Sequence, residues 1–179
     1  METETRPQRN RGLASAVSWM RDLILSVLIA VVLIVFLYQP VKVEGTSMMP
    51  ALTDQERIFI NKFTYRFRSV ERGDMVVFWH DANKSFIKRV IGLPGDTVEI
   101  DRGTVYVNGR RLREDYVPRN YRDTQSWGPG VVPAHEYFVL GDHRSSSSDS
   151  RAWGFVDRQA IYGKAVFVYW PLDKIGRLR

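Results

Sequence analysis

The chain has no cysteine among its 179 residues. That excludes a disulfide framework, a cysteine nucleophile and a thiolate metal site. It is silent about compartment, because many extracytoplasmic proteins lack disulfides. Histidine is nearly absent: His80, His135 and His143 are scattered, and no His-Glu-x-x-His pattern joins them. No metal ligand set is therefore expected. No glycine-rich loop follows a strand and opens a helix, so nucleotide binding has no support and no cofactor is expected. Internal repeats are missing, as is a clean second-domain boundary beyond residue 40.

What is present suffices for a packed core. Hydrophobic residues make up 44% of the chain and aromatics 12%, enough for one soluble domain plus an anchor. The formal charge is +6. A basic surface suits nucleic acid or anionic lipid headgroups, and a membrane segment decides for the lipid, with no nucleic acid expected. That segment is Leu23 to Tyr38, which carries no charge. At about 1.5 Å per residue it spans roughly 24 Å. Trp19 and Tyr38 lie at its ends, where aromatic belts sit, and Gln39-Pro40 stops the helix.

Arg6, Arg9, Arg11 and Arg21 precede the run, whereas only Lys42 follows it closely. The positive-inside bias then gives a cytoplasmic tail over 1–22, an anchor over 23–39 and an extracytoplasmic domain over 40–179. The run is longer than the apolar core of a usual secretory signal. Val41-Lys42-Val43 is a poor cleavage site, so the anchor is expected to be retained.

From Val41 onward, short runs rich in Val, Ile, Phe and Tyr predict a mostly β domain. Strands are expected over 57–62, 75–79, 85–90, 97–101, 104–107, 137–140 and 164–169. Arg102-Gly103 and Asn108-Gly109 read as reversals. Residues 114–132, polar with glycines and prolines, read as a surface excursion. The tract Ser145 to Ser148 looks like a linker by composition, although its flanks argue for a structured loop.

Two segments carry chemistry. Gly45-Thr46-Ser47-Met48-Met49-Pro50 stands about ten residues beyond the apolar run, which would hold a nucleophile near the lipid surface. Phe86-Ile87-Lys88-Arg89-Val90-Ile91-Gly92-Leu93-Pro94-Gly95-Asp96 follows some 40 residues later. Taken alone, Ser47 is a turn serine and Lys88 a strand lysine facing water. Together they suit a hydrolase, because a lysine amine serves as base once burial lowers its pKa. Strand alternation puts Phe86, Lys88 and Val90 on one face. The alternative is a Ser-His-Asp arrangement using Asp142-His143, although adjacent strand residues point to opposite faces.

These segments, with Arg72 to Phe78 and with Gly141 to Val156, resemble four ordered boxes of the bacterial type I signal peptidase (leader peptidase) family. The resemblance covers nearly the whole chain. It implies a domain of the signal-peptidase/repressor-protease type and a membrane-anchored serine endopeptidase at the outer face of the cytoplasmic membrane. Its partners would be the signal peptides of exported preproteins and membrane lipid.

Ser47 would be the acylating nucleophile, its amide part of the oxyanion hole, and Lys88 the general base. Ser147 would orient the lysine amine. Asp142, Arg144, Asp149 and Arg151 would hold the loop in place through ion pairs. Val43, Met48, Leu52, Ile58, Phe86 and Ile87 would line shallow pockets accepting small side chains, especially alanine, one and three residues before the cut. For Leu52 and Ile58, ordinary core is an equally good reading.

The chain departs from the pattern at Gly45, where some members carry a hydroxyl, and at His143 and Ser145, commonly Asn and Asp. Two competitors are a self-cleaving repressor-like protein, disfavoured by the apolar segment, and an inactive tethered β domain that binds exported partners.

Overall fold

The structure is a computed structural model that describes residues 11–81 and 84–178, apart from the side chains of residues 11–15, 33 and 35. Arg6 and Arg9 of the expected tail lie outside the described residues. The chain divides into two units between Leu37 and Tyr38.

The first unit contains α1 (Arg11–Leu37). Its leucines, isoleucines and valines are exposed, Leu23, Ile24 and Leu28 each by more than half. Among the described residues no helix is long and apolar enough to cross a membrane.

The second unit is mostly β. In chain order its strands are β1 (Tyr38–Lys42), β2 (Arg57–Asn61), β3 (Met75–Asp81), β4 (Lys84–Gly92), β5 (Thr97–Asp101), β6 (Thr104–Val107), β7 (Arg110–Arg111), β8 (Trp127–Val131), β9 (Glu136–Leu140), β10 (Val156–Asp157), β11 (Ile161–Trp170) and β12 (Gly176–Arg177). The short helices α2 (Thr64–Phe67) and α3 (Ser150–Trp153) lie between them. A large sheet runs β1-β2-β11-β3-β4-β9-β10, with β12 beside β11, and a small one runs β7-β6-β5-β8.

The strands form where the apolar runs predict them, because β3 and β4 are covered on both faces and so read as continuous hydrophobic stretches. Met75 and Val77 pack with Val43, Met48, Leu52, Ile58 and Ile60. Val76 and Phe78 pack on the other face with Val90, Tyr137 and Val139. A third cluster, Ile91, Val98, Ile100, Phe138 and Leu140 among it, joins the small sheet to the large. Arg102-Gly103 and Asn108-Gly109 close the predicted hairpins with positive φ at both residues, as two-residue primed turns require.

Five strands, β1, β7, β8, β10 and β12, were not predicted from the sequence, and all but β1 and β8 are only two residues long. Tyr38-Gln39-Pro40 reads as the end of a helix, yet α1 stops at Leu37 and β1 begins at Tyr38. The expected surface excursion contains β8, masked by Gly128-Pro129-Gly130. Both are edge strands of their sheets, the one position where a proline's missing N–H costs no ladder bond. Ser145 to Ser148 is a structured loop, leading from a short 3₁₀ turn into α3.

Candidate active site

The loop after β1 is pinned at both ends. Val43 N–H donates to Glu56 C=O at 2.7 Å, and Gln55 N–H donates to Val43 C=O at 2.9 Å. Within it Gly45 N–H donates to Asp54 Oδ1 at 2.8 Å, and this bond, ahead of Gln55's, holds the Asp54 carboxyl below its ordinary pKa. Met49 N–H to Thr46 C=O and Leu52 N–H to Met48 C=O wind the chain into a tight turn around Ser47. The buried side chains of Met48 and Leu52 fix that turn to the core.

Lys88 sits in mid-strand on β4, opposite Val76 of β3, and only 4% of it is exposed. Its Nζ donates to Ser47 Oγ at 2.6 Å, across 41 positions of sequence. Burial pushes the amine pKa down from 10.5 to about 8. Asp149 opposes this, the nearby Arg151 charge favours it, and Asp142 opposes it more weakly. An amine so placed holds a hydroxyl within proton-transfer distance.

The loop from Gly141 to Arg151 borders the pair. His143 N–H donates to Ser47 C=O at 3.0 Å. Asp142 is wholly buried and grips Arg89 with both oxygens, at 2.9 and 2.7 Å. Arg89 also donates to Gly73 C=O at 2.9 Å and lies 4.2 Å from the Tyr116 ring centre. Arg144 pairs with Glu114 and donates to Gly141 C=O at 2.9 Å. Arg151 chelates Asp149 at 2.8 and 2.9 Å, pairs with Asp123, and donates to Arg144 C=O at 2.8 Å. Among the described residues no cluster of three His, Asp or Glu side chains offers a metal site.

Residues 16–170 match the family described as "Signal peptidase, peptidase S26". The chain belongs to the S26 signal peptidase family. It is 41% identical to a signal peptidase I of Leptolyngbya laminosa, over 86% of this chain and 79% of that one. To a signal peptidase I of Bacillus licheniformis it is 38% identical, over 90% and 92%. A crystal structure of a signal peptidase I from Enterococcus faecalis superposes with a TM-score of 0.48 at 37% identity, over 54% of this chain and 97% of that one. The protein is accordingly a serine peptidase whose class of substrate is the signal peptide of a preprotein.

Asp142, Arg144, Asp149 and Arg151 all lie in ion pairs, three of which use partners that the sequence did not point to. Arg89, Glu114 and Asp123 complete them. Arg89 had a readable signal: a second charge inside an apolar strand must find a counter-charge when buried. Glu114 and Asp123 had none, because they lie in the supposed surface excursion.

Asp142 commits its carboxylate to Arg89, so it does not orient His143 as a Ser-His-Asp relay requires. The His143 ring instead places Nδ1 3.3 Å from Thr46 C=O and meets Tyr121 edge-on at 4.6 Å. Ser147 Oγ is buried and makes no hydrogen bond among the described residues.

Beside the Ser47–Lys88 pair the peptidase has a groove of about 480 Å³. Val43, Met48, Phe86 and Ile87 line it, together with Val41 and Val77. Leu52 and Ile58 do not: both are fully buried in the core cluster and absent from the groove wall. Their apolar character serves packing under the turn.

Gly141 is the tightest point of the site. A β-carbon there would fall 2.2 Å from Ser147 Oγ and 2.5 Å from Ser47 C=O. The backbone cannot yield easily, since its N–H and C=O are held by Asp149 and Arg144. Gly141→Ala is expected to lower stability by about 1–3 kcal/mol and to reduce turnover by more than the stability loss explains, because the insertion displaces Ser47 itself. Thermal melts and rates on the same sample test this; wild-type turnover would contradict it.

Proposed function

We propose that this peptidase cleaves preproteins by a Ser47–Lys88 dyad while anchored in the cytoplasmic membrane. The observation that carries the reading is the 2.6 Å contact between a buried amine and a serine hydroxyl. As Ser47 Oγ attacks the scissile carbonyl carbon, neutral Lys88 takes its proton. The oxyanion develops against the Ser47 amide, which donates to no other group among the described residues. Gly45, at φ +94° with open space beside it, supplies no hydroxyl there.

The Lys88 ammonium then gives its proton to the leaving amine as the C–N bond breaks, leaving an acyl ester on Ser47. Water attacks the ester with Lys88 again as base, releasing the acid and restoring the serine. Ser147, whose buried hydroxyl has no hydrogen-bond partner among the described residues, is assigned the orienting of that amine. Asp142, Arg144, Asp149 and Arg151 hold the loop. Val43, Met48, Phe86 and Ile87 form the walls that admit small side chains before the cut, favouring Ala-x-Ala sites by excluding bulk.

The anchor reading rests on the uncharged run from Leu23 to Tyr38, of which α1 covers all but the last residue. The arginine excess before that run supports an inside N-terminus and an outside catalytic domain.

The dyad makes a pH prediction. Only the neutral amine acts as base, and with a pKa of about 8 roughly one molecule in ten is competent at pH 7. The rate is expected to rise about tenfold per pH unit well below 8 and to level off above it. A pH profile of kcat/KM, which reports the free enzyme's ionisations, measures this. A histidine base would place the limb near pH 6.5, and that result would count against the dyad.

A further inference from the structure

We propose that His80 is a positioning residue for substrate selection, holding the Phe86 wall of the groove in place. This rests on the reading of the groove as the seat of substrate side chains. His80 has no part in the dyad, and by sequence it is merely a histidine at the exposed end of a strand.

The β3–β4 ladder pairs Phe78 with Phe86 and Trp79 with Ser85, then skips His80 and resumes with Asp81 opposite Lys84. His80 is thus the extra residue of a β-bulge, a device that re-aims a side chain next to functional sites. Here it turns the imidazole onto the Phe86 ring, 4.7 Å away and within 17° of parallel. Trp153 of α3 closes the far side, 4.8 Å from His80 and 5.9 Å from Phe78. Phe78 in turn meets Phe86 edge-on at 6.3 Å. The four rings form a closed circuit of one stacked, one edge-on and two tilted contacts, all favourable aromatic geometries.

Phe78 has little freedom because it is buried in the core, and Trp153 packs against the same cluster, whereas Phe86 is only partly buried. His80 is exposed, so its ring is the outer cover of Phe86. Phe86 also lines the groove, and its ring centre is 5.6 Å from Lys88 Nζ. Without the imidazole, Phe86 swings outward and the pocket beside Ser47 deepens. Exclusion of a larger side chain then weakens, while alanine still fits.

The test uses the full-length enzyme in detergent at a pH above histidine titration, with two preproteins. One carries an Ala-x-Ala site and the other leucine in place of the second alanine. For His80→Ala the cleavage of the leucine protein relative to the alanine protein is expected to rise about tenfold, the scale on which apolar pockets discriminate size. His80→Phe, which keeps a flat ring, is expected to restore the parent ratio.

An unchanged ratio in a His80→Ala protein with the parent's melting temperature overturns the proposal. So does a uniform loss on both preproteins, or a His80→Phe protein as permissive as the alanine variant. Ser47→Ala, run alongside, reports separately on the underlying reading: if it still cleaves, the dyad fails whatever the ratio does.

Discussion

Lys88→Met is expected to reduce kcat by about 10³-fold or more, with KM and the fold nearly unchanged. A positioned base contributes about 10²–10⁴-fold, and no other basic side chain touches Ser47 Oγ among the described residues. Methionine matches the lysine stem in length and removes an amine whose burial already disfavours its charge, so the melting temperature should hold or rise. Ser47→Ala should be equally inactive, and the double variant no worse than either, because residues acting as one unit are not additive. A large activity loss coupled to a large fall in melting temperature would instead make Lys88 a structural residue.

Asp142→Ala is expected to be the most destabilising single change, at about 3–5 kcal/mol. Arg89 and Asp142 are 3% and 0% exposed at their side chains. Although burial opposes its charge, the Asp142 carboxylate holds the Arg89 guanidinium above the ordinary arginine range. Removing the carboxylate leaves that charge in the interior between β4 and the loop from Gly141 to Arg151. The expected fall in melting temperature is about 10 °C or more.

Replacing both partners with apolar residues, Arg89→Met with Asp142→Leu, should recover much of that loss, since the penalty belongs to the stranded charge. A double variant as unstable as Asp142→Ala would show that packing or the Gly73 contact matters more than the pairing.

The two predictions concern residues of unequal visibility in the sequence. Lys88 could be found because it stands in an apolar strand after a serine turn, and alternation then assigns it a buried face. β2 to β6, β9 and β11 were legible for the same kind of reason: their apolar runs and turn residues are local. Asp142 was visible as a loop residue, but its partner lies 53 positions away, and sequence periodicity carries no information at that distance.

The edge strands β1 and β8 were obscured by Pro40 and Pro129, residues that forbid a central strand and are harmless at a margin. Leu52 and Ile58 show the opposite difficulty. An apolar residue near a nucleophile fits a pocket wall or the core beneath it, and only burial distinguishes the two. The position of Ser147, close against Gly141 and without a hydrogen bond, likewise follows from the close approach of two loops rather than from any local pattern.

The most direct test of the dyad is mass-spectrometric mapping of the products formed from an Ala-x-Ala preprotein by the full-length chain in detergent, beside Ser47→Ala, Lys88→Met and His143→Ala. Cleavage after the second alanine by the parent and by His143→Ala, with none by the other two, is the predicted result. Persistent cleavage by a folded Lys88→Met protein, or loss in His143→Ala equal to that in Ser47→Ala, would contradict it.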